Sequence, residues 1–179
     1  MTSEKSTINE KREFIQKKSY WLAVKAHYSS EFPNDTVGLH NFEGGYCGVS
    51  KVENDAINIC YLASYDSFKK YKNTEEYQNY IVSKTPDLKL IFDSSKMIFE
   101  TPLTISQVSF SKKKLLENHI LMVGDSAGLI HPLCGNGMAM AVHSAKIVSE
   151  LIHKMINQNS YSRENLEKAY QKQWNTTFK

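Results

Sequence analysis

Four short segments rich in apolar residues run between residues 19 and 62, with alternation of apolar and polar positions visible in the last, and helical spacing takes over after them. Tyr20-Trp21-Leu22-Ala23-Val24-Lys25-Ala26-His27-Tyr28 is rich in aromatic and aliphatic residues and reads as a strand. Glu31-Phe32-Pro33-Asn34-Asp35 turns the chain into a second strand, Thr36 to Phe42. Glu43-Gly44-Gly45 leads into Tyr46–Val52, and Glu53-Asn54-Asp55 into Ala56–Leu62. Short strands joined by tight turns indicate an antiparallel meander. In the last of them Ile57, Ile59 and Tyr61 face one way, and Asn58 and Cys60 the other.

Helical signals begin at Asp66, with Phe68 and Tyr71. Thr74 is the expected cap of a helix carrying Tyr77, Tyr80 and Ile81. Thr85-Pro86 opens a short helix through Leu88, Ile91 and Phe92. Leu103 to Phe110 reads as a further strand, and Glu117 to Val123 as a buried one. Met138 to Ile156 forms a long helix, and Ser162 begins an amphipathic one with Leu166, Ala169, Tyr170 and Trp174. The aromatic pair Tyr20-Trp21 looks like core packing. These elements divide the chain into a polar segment, frayed or a short surface helix, over 1–18, and a sheet with helices over 19–112. A strand-turn-helix follows over 113–160, then a closing helix over 161–179.

A chain of 179 residues with 41% apolar and 23% charged residues is an ordinary globular sequence with enough length for a real core. The net charge of +3 is too small to argue for nucleic acid. Lys112-Lys113-Lys114 reads as a solvated turn. The three cysteines, Cys47, Cys60 and Cys134, are odd in number and lack CxxC spacing, so neither a disulfide framework nor a zinc site is expected. Reduced thiols and the polar start of the chain suit a cytoplasmic protein. His143, Lys146, Glu150, His153 and Lys154 interrupt the most apolar helix, so no membrane span is expected.

The chemistry concentrates in residues 120–145. An apolar run ends in Gly124-Asp125, a small-residue turn follows, and Pro132 precedes Gly135-Asn136-Gly137 at the start of the long helix. A glycine at a strand end lets backbone approach a ligand closely. The carboxylate of Asp125 either accepts hydroxyls of a ligand or caps the turn behind it. The helix start offers unpaired N–H groups and a partial positive charge suited to an anion or an electron-poor ring. Gly135-x-Gly137 imitates the opening of a dinucleotide GxGxxG, but Met140 stands at the third glycine position, so it is a poor phosphate loop.

This segment resembles the second FAD-binding motif of the p-hydroxybenzoate-hydroxylase-type flavoproteins, a group that includes geranylgeranyl reductases and aromatic hydroxylases. Gly124-Asp125-Ser126-Ala127, Pro132, Gly135-Asn136-Gly137 and Ala141-x-x-x-Ala145 match its Gly-Asp-Ala-Ala, Pro, Gly-x-Gly and Ala-x-x-x-Ala. The resemblance implies an α+β fold: an antiparallel substrate-domain sheet plus the strand-turn-helix of a flavin-binding domain. It implies an FAD-dependent oxidoreductase, a monooxygenase or reductase, acting on a hydrophobic or aromatic small molecule, with NAD(P)H a candidate electron donor. It assigns cofactor contacts to Gly124, Asp125, Pro132, Gly135, Asn136, Gly137, Met138 and Ala139, with Asp125 on the ribityl chain, Pro132 beside the ring and the N–H groups around Gly137 at its pyrimidine edge. It leaves His131 to choose between a structural and a proton-transfer role. Cys134 and Cys47 stand between small buried residues and redox thiols. Phe42, Tyr46, Tyr61 and Tyr65 stand between core packing and a substrate pocket. No Trp-x-Trp pair of the halogenase type occurs.

The family begins with a βαβ unit carrying GxGxxG, and the first 37 residues here contain no glycine. The chain is therefore expected to correspond to the C-terminal part of a flavoprotein, its partner the missing N-terminal half. It is expected to bind FAD weakly or not at all alone. The competing expectation is a non-catalytic small-ligand-binding module or an inactive truncated flavoprotein.

Overall fold

The computed structural model describes residues 12–17, 19–131, 134–157 and 162–178. They fall into two compact units. One is Lys17–Ser109; the other is Phe110–Lys179 together with the N-terminal residues through Gln16, which include the short helix α1 (Glu13–Gln16). The architecture is α+β, as the motif resemblance implies.

In the first unit β1 (Trp21–Ser29), β2 (Val37–Phe42), β3 (Gly45–Lys51) and β4 (Ala56–Ser64) form an antiparallel sheet in the order β2-β3-β4-β1. Two short strands, β5 (Lys96–Met97) and β6 (Leu103–Ile105), pair with the far edge of β1. Register places Val24 opposite Tyr61 and Tyr61 opposite Cys47, so apolar positions of three strands stand in rows. That face buries Leu22, Val24, Ala26, Val49, Ile57 and Ile59. It is covered by α2 (Tyr65–Phe68), α3 (Thr74–Tyr80), a 3-10 turn at Val82–Lys84 and α4 (Pro86–Ser94), which contribute Tyr77, Val82 and Leu88. The opposite face carries Val37, Leu39, Leu103 and Ile105, each more than half exposed.

Several expectations move. The cap of α3 is Asn73, not Thr74; its extended backbone lets the carboxamide oxygen accept the Glu76 N–H at 2.8 Å. Thr85 and Pro86 open α4 as expected, but the Thr85 hydroxyl donates to the Asn41 carbonyl at 3.3 Å instead of capping. Tyr20 is 78% exposed, so it is not core; the strand pattern starts one residue later and buries Leu22. Only Leu103–Ile105 of the expected 103–110 strand pairs. Phe42 and Tyr61 pack edge to face, 6.2 Å between centroids, and both lie against Tyr77, so they belong to the core and not to a pocket. Tyr46 and Cys60 alternate onto the other face, whereas Cys47 is wholly buried on the core side.

The second unit departs most from expectation. Glu117–Val123 is not one buried strand. Its residues join Leu115 and Leu116 in a tight hairpin of β7 (Leu116–Glu117) and β8 (Ile120–Leu121). Asn118 and His119 both take positive φ, 48° and 64°, the geometry of a two-residue primed turn. Met122 N–H then donates to the Leu115 carbonyl at 2.9 Å. The long helix α5 (Gly137–Asn157) and closing helix α6 (Arg163–Thr177) form as read, and the Ser162 hydroxyl accepts from Asn165 N–H. Their core gathers Ile147, Tyr170 and Trp174 around Met122 and Ala127. No helix among the described residues is long and apolar enough to cross a membrane.

The cysteines separate by environment. All three are free; Cys47 is buried, with burial pushing its thiol up to about 12, Cys60 is partly buried and Cys134 exposed. Because the thiolate is the reacting species, a disulfide reagent at about pH 8 should label Cys134 quickly, Cys60 slowly, and Cys47 only after denaturant. Mass spectrometry of the labelled peptides checks the order.

Candidate functional site

The site is built from the turn that follows β8. Gly124 adopts φ +57°, a region costly for any residue with a side chain, and opens a 3-10 turn over Gly124–Ser126. A Cβ placed there would lie 3.2 Å from Ala141 Cβ, so the turn sits directly on α5. Ser144, 0% exposed, fixes the contact: its hydroxyl accepts from Gly124 N–H at 2.9 Å and donates to the Ala141 carbonyl at 2.8 Å. The N–H groups of Ala127 and Gly128 both turn back to the Gly124 carbonyl.

The turn is also held from behind. Tyr170 of α6 donates from its hydroxyl to the Met122 carbonyl, and burial lifts its pKa to about 12. Trp174 lies 3.4 Å from where a Gly128 Cβ would be. Arg12, 2% exposed, donates to the Ser126 carbonyl at 2.6 Å and the Lys114 carbonyl at 2.9 Å, and pairs with Glu117 at 3.6 Å. Lys113 donates to the Asp125 carbonyl at 2.7 Å.

Those contacts use the backbone of the turn and leave the Asp125 side chain out. Among the described residues its carboxylate accepts no hydrogen bond, so the capping alternative does not apply. Instead Asp125 lines a cleft of about 500 Å3 with Val123, Leu129, Ile130, Met138 and Ala141. Ser126, Gly135 and Gly137 complete its lining. The wall is mostly apolar with one carboxylate, and α5 begins at Gly137 in the same wall. The first N–H groups of a helix have no earlier carbonyl of that helix to bond, and the macrodipole places about half a positive charge there.

The expected site residues are therefore largely gathered. Asp125, Gly135, Gly137 and Met138 share the cleft, and Gly124 sits on α5 at its edge. Asn136 contributes its carbonyl to the first helical bond, from Met140 N–H at 3.0 Å, and Ala139 is exposed in the first turn. Pro132 lies outside the described residues. Cys134 is exposed and its N–H donates to the His131 carbonyl; the His131 ring packs on Phe110 at 4.9 Å. Gly135 takes φ +62° with nothing within 4 Å of its missing Cβ, and a Cβ at Gly137 would touch only Ile130, at 3.6 Å. The fold itself thus has room at both glycines, and the open space is cleft.

Sequence reasoning missed the hydrogen bonds that Arg12, Lys113, Ser144 and Tyr170 make to the turn, although Tyr170 was read on the apolar face of its helix. A buried arginine in a polar segment and a serine inside a helix carry no motif; the small Ser at Gly124's partner helix is a signal only once that contact is known.

Gly124→Ala should cost about 2–3 kcal/mol, from positive φ plus the Ala141 contact, against about 1 kcal/mol for Gly135→Ala, which carries the φ term alone. Urea unfolding of the two variants checks the difference.

Comparison with known proteins is consistent with this geometry. A family model described as squalene epoxidase matches residues 77–177, more than half of the chain. The digeranylgeranylglycerophospholipid reductase of Methanosarcina acetivorans is 27% identical over 165 residues, covering 91% of this chain and 39% of that protein. Among solved structures, a myxobacterial chondrochloren halogenase, described as a variant of FAD-dependent halogenases, superposes with a TM-score of 0.70 at 15% identity, covering 88% of this chain and 39% of that one. A geranylgeranyl bacteriochlorophyll reductase-like protein of Thermoplasma acidophilum gives 0.60 at 20% identity, with 87% and 38% covered. The chain thus spans well under half the length of these relatives, and the structural likeness speaks for the fold. The match of the family model, which runs from α3 through the turn, the cleft and both long helices, places this chain in the squalene epoxidase family.

Proposed function

We propose that the cleft beside Asp125 holds the ribityl chain and isoalloxazine ring of FAD, and that the chain serves an FAD-dependent oxidoreductase acting on an apolar or aromatic small molecule. The observation that carries this reading is an unbonded carboxylate and a helix start in the wall of one apolar cleft. Its volume of about 500 Å3 lies within the range of small-ligand sites. The space left open at Gly137 suits close approach of a flat ring.

In this assignment Asp125 accepts hydrogen bonds from ribityl hydroxyls, and the apolar wall of Val123, Leu129 and Ile130 excludes water. The N–H groups of Gly137, Met138 and Ala139 face the pyrimidine edge, where helix polarity favours electron-rich character. Asn136 and Gly135 shape the entry to the helix, and Gly124 lets the turn lie low on α5. Pro132 is assigned to the ring by its place in the motif. A bound flavin supplies two-electron oxidation and reduction, with NAD(P)H as the donor; the protein supplies binding and orientation.

The apolar substrate class is supported by the mostly apolar lining of the cleft, with Val123, Leu129, Ile130 and Met138. It also agrees with the names of the family and of the Methanosarcina relative, which refer to squalene and to a digeranylgeranyl lipid. No GxGxxG stands in these 179 residues, so the adenosine diphosphate half of FAD gains little from this chain. FAD and riboflavin should accordingly bind the chain with similar, weak affinity.

Asp125→Ala should weaken riboflavin binding about tenfold and lower the melting temperature only slightly, because the carboxylate accepts no hydrogen bond among the described residues and meets Lys113 through charge alone. Fluorescence titration and calorimetry read the two effects; unchanged affinity removes the ribityl assignment. Gly137→Val should abolish binding in a protein that still folds, since the fold leaves room for a Cβ there. Undiminished binding in that variant would displace the ring from the helix start.

A further inference from the structure

Two cations converge on the backbone of the Asp125 turn. Arg12 and Lys113 donate to the carbonyls of two consecutive residues, Ser126 and Asp125, at 2.6 and 2.7 Å. Both also lie over the ring of Phe14, the guanidinium carbon at 5.0 Å from its centre and the ammonium at 4.4 Å. One aromatic face system thus attracts two like charges that would otherwise repel. Glu117 of the hairpin balances Arg12. Burial lowers the pKa of Lys113, the nearby Asp125 charge raises it and Arg12 lowers it. The cluster draws on residues 12–14, 113–117 and 125–126, so three distant stretches of sequence meet at one turn.

The arrangement is directional. With Gly124 N–H on Ser144, the Ala127 and Gly128 N–H groups on the Gly124 carbonyl, and the next two carbonyls on cations, the peptide planes of the turn are fixed. A fixed backbone fixes the Cα–Cβ direction of Asp125, whose carboxylate has no bond of its own to hold it at the cleft.

We propose that Arg12 and Lys113 are positioning residues for the flavin site, clamping the carbonyls of Ser126 and Asp125 so that the Asp125 carboxylate is held at the cleft before the ligand arrives. This rests on the reading of the cleft as a flavin site. The N-terminal segment around Arg12 and Phe14 is then part of the binding apparatus, although it touches no ligand. Preorganisation of this kind lowers the ordering cost of binding.

The test is a double-variant cycle on the full chain, with riboflavin as the probe. Arg12→Gln and Lys113→Met should each weaken riboflavin about tenfold, and Arg12→Lys, which keeps a cation, should recover most of the Arg12 loss. In an Asp125→Ala background, Arg12→Gln should cost nothing further, because the residue it positions is gone. Amide exchange at Ala127 and Gly128 in the flavin-free protein should speed up about tenfold in Arg12→Gln and stay unchanged in Asp125→Ala. A merely structural role predicts additive losses in the cycle, and additivity overturns the proposal. Equal affinity of Arg12→Gln and the parent chain removes the clamp while leaving the flavin reading in place. A parent chain that binds no riboflavin overturns the proposed weak binding by this chain, and the clamp with it. If Arg12→Gln does not fold, Lys113→Met and Arg12→Lys carry the same cycle.

Discussion

The contact of Gly124 with α5 is the constraint on which the second unit depends. A residue without a side chain, in left-handed geometry, lets the backbone lie against Ala141, and the Ser144 hydroxyl closes the joint. The placement of the Asp125 turn against the cleft wall hangs from that joint. Raising the turn off the helix by the thickness of a methyl group would separate the Asp125 carboxylate from the wall that α5 begins. A serine bonded to its own helix carbonyl usually bends or weakens a helix slightly. Here the same hydroxyl also satisfies a partly buried N–H from another segment, which offsets that cost.

Support for the turn is layered. Behind it stand Tyr170 and Trp174 of α6, and on the adjoining side the cation cluster of Arg12 and Lys113. The cleft side is left with apolar walls and a carboxylate that accepts no hydrogen bond among the described residues. The protein's own hydrogen bonds at this turn thus go to its backbone, and the exposed acidic side chain is left to solvent and to the charge of Lys113.

How much was legible from sequence follows the range of the interactions. The meander was readable because period-two alternation in residues 56–62 and the glycine and Asn-Asp turns are local signals. The long helix and the Ser162 cap were readable for the same reason. The 124–145 motif was readable because its glycines, proline and small residues lie close together in sequence and match a known pattern as a group; of its glycines, Gly124 packs on the helix, Gly135 faces open space and Gly137 meets only Ile130. The hairpin at 116–121 was missed because an apolar run hides a turn made by Asn118 and His119, where asparagine alone hints at positive φ. The fate of Phe42 and Tyr61 depended on which sheet face the helices would cover, a tertiary fact. Arg12 was invisible because its partners lie more than a hundred positions away.

The chain contains two tryptophans, and the fold deals one to each unit: Trp21 in β1 and Trp174 in α6, beside Gly128. Each half of the molecule therefore carries its own native fluorophore. Single-tryptophan versions would let the melting of the sheet and of the Asp125 turn be followed by emission as separate events, without attached dyes, and would reveal whether the two halves lose structure together or in sequence.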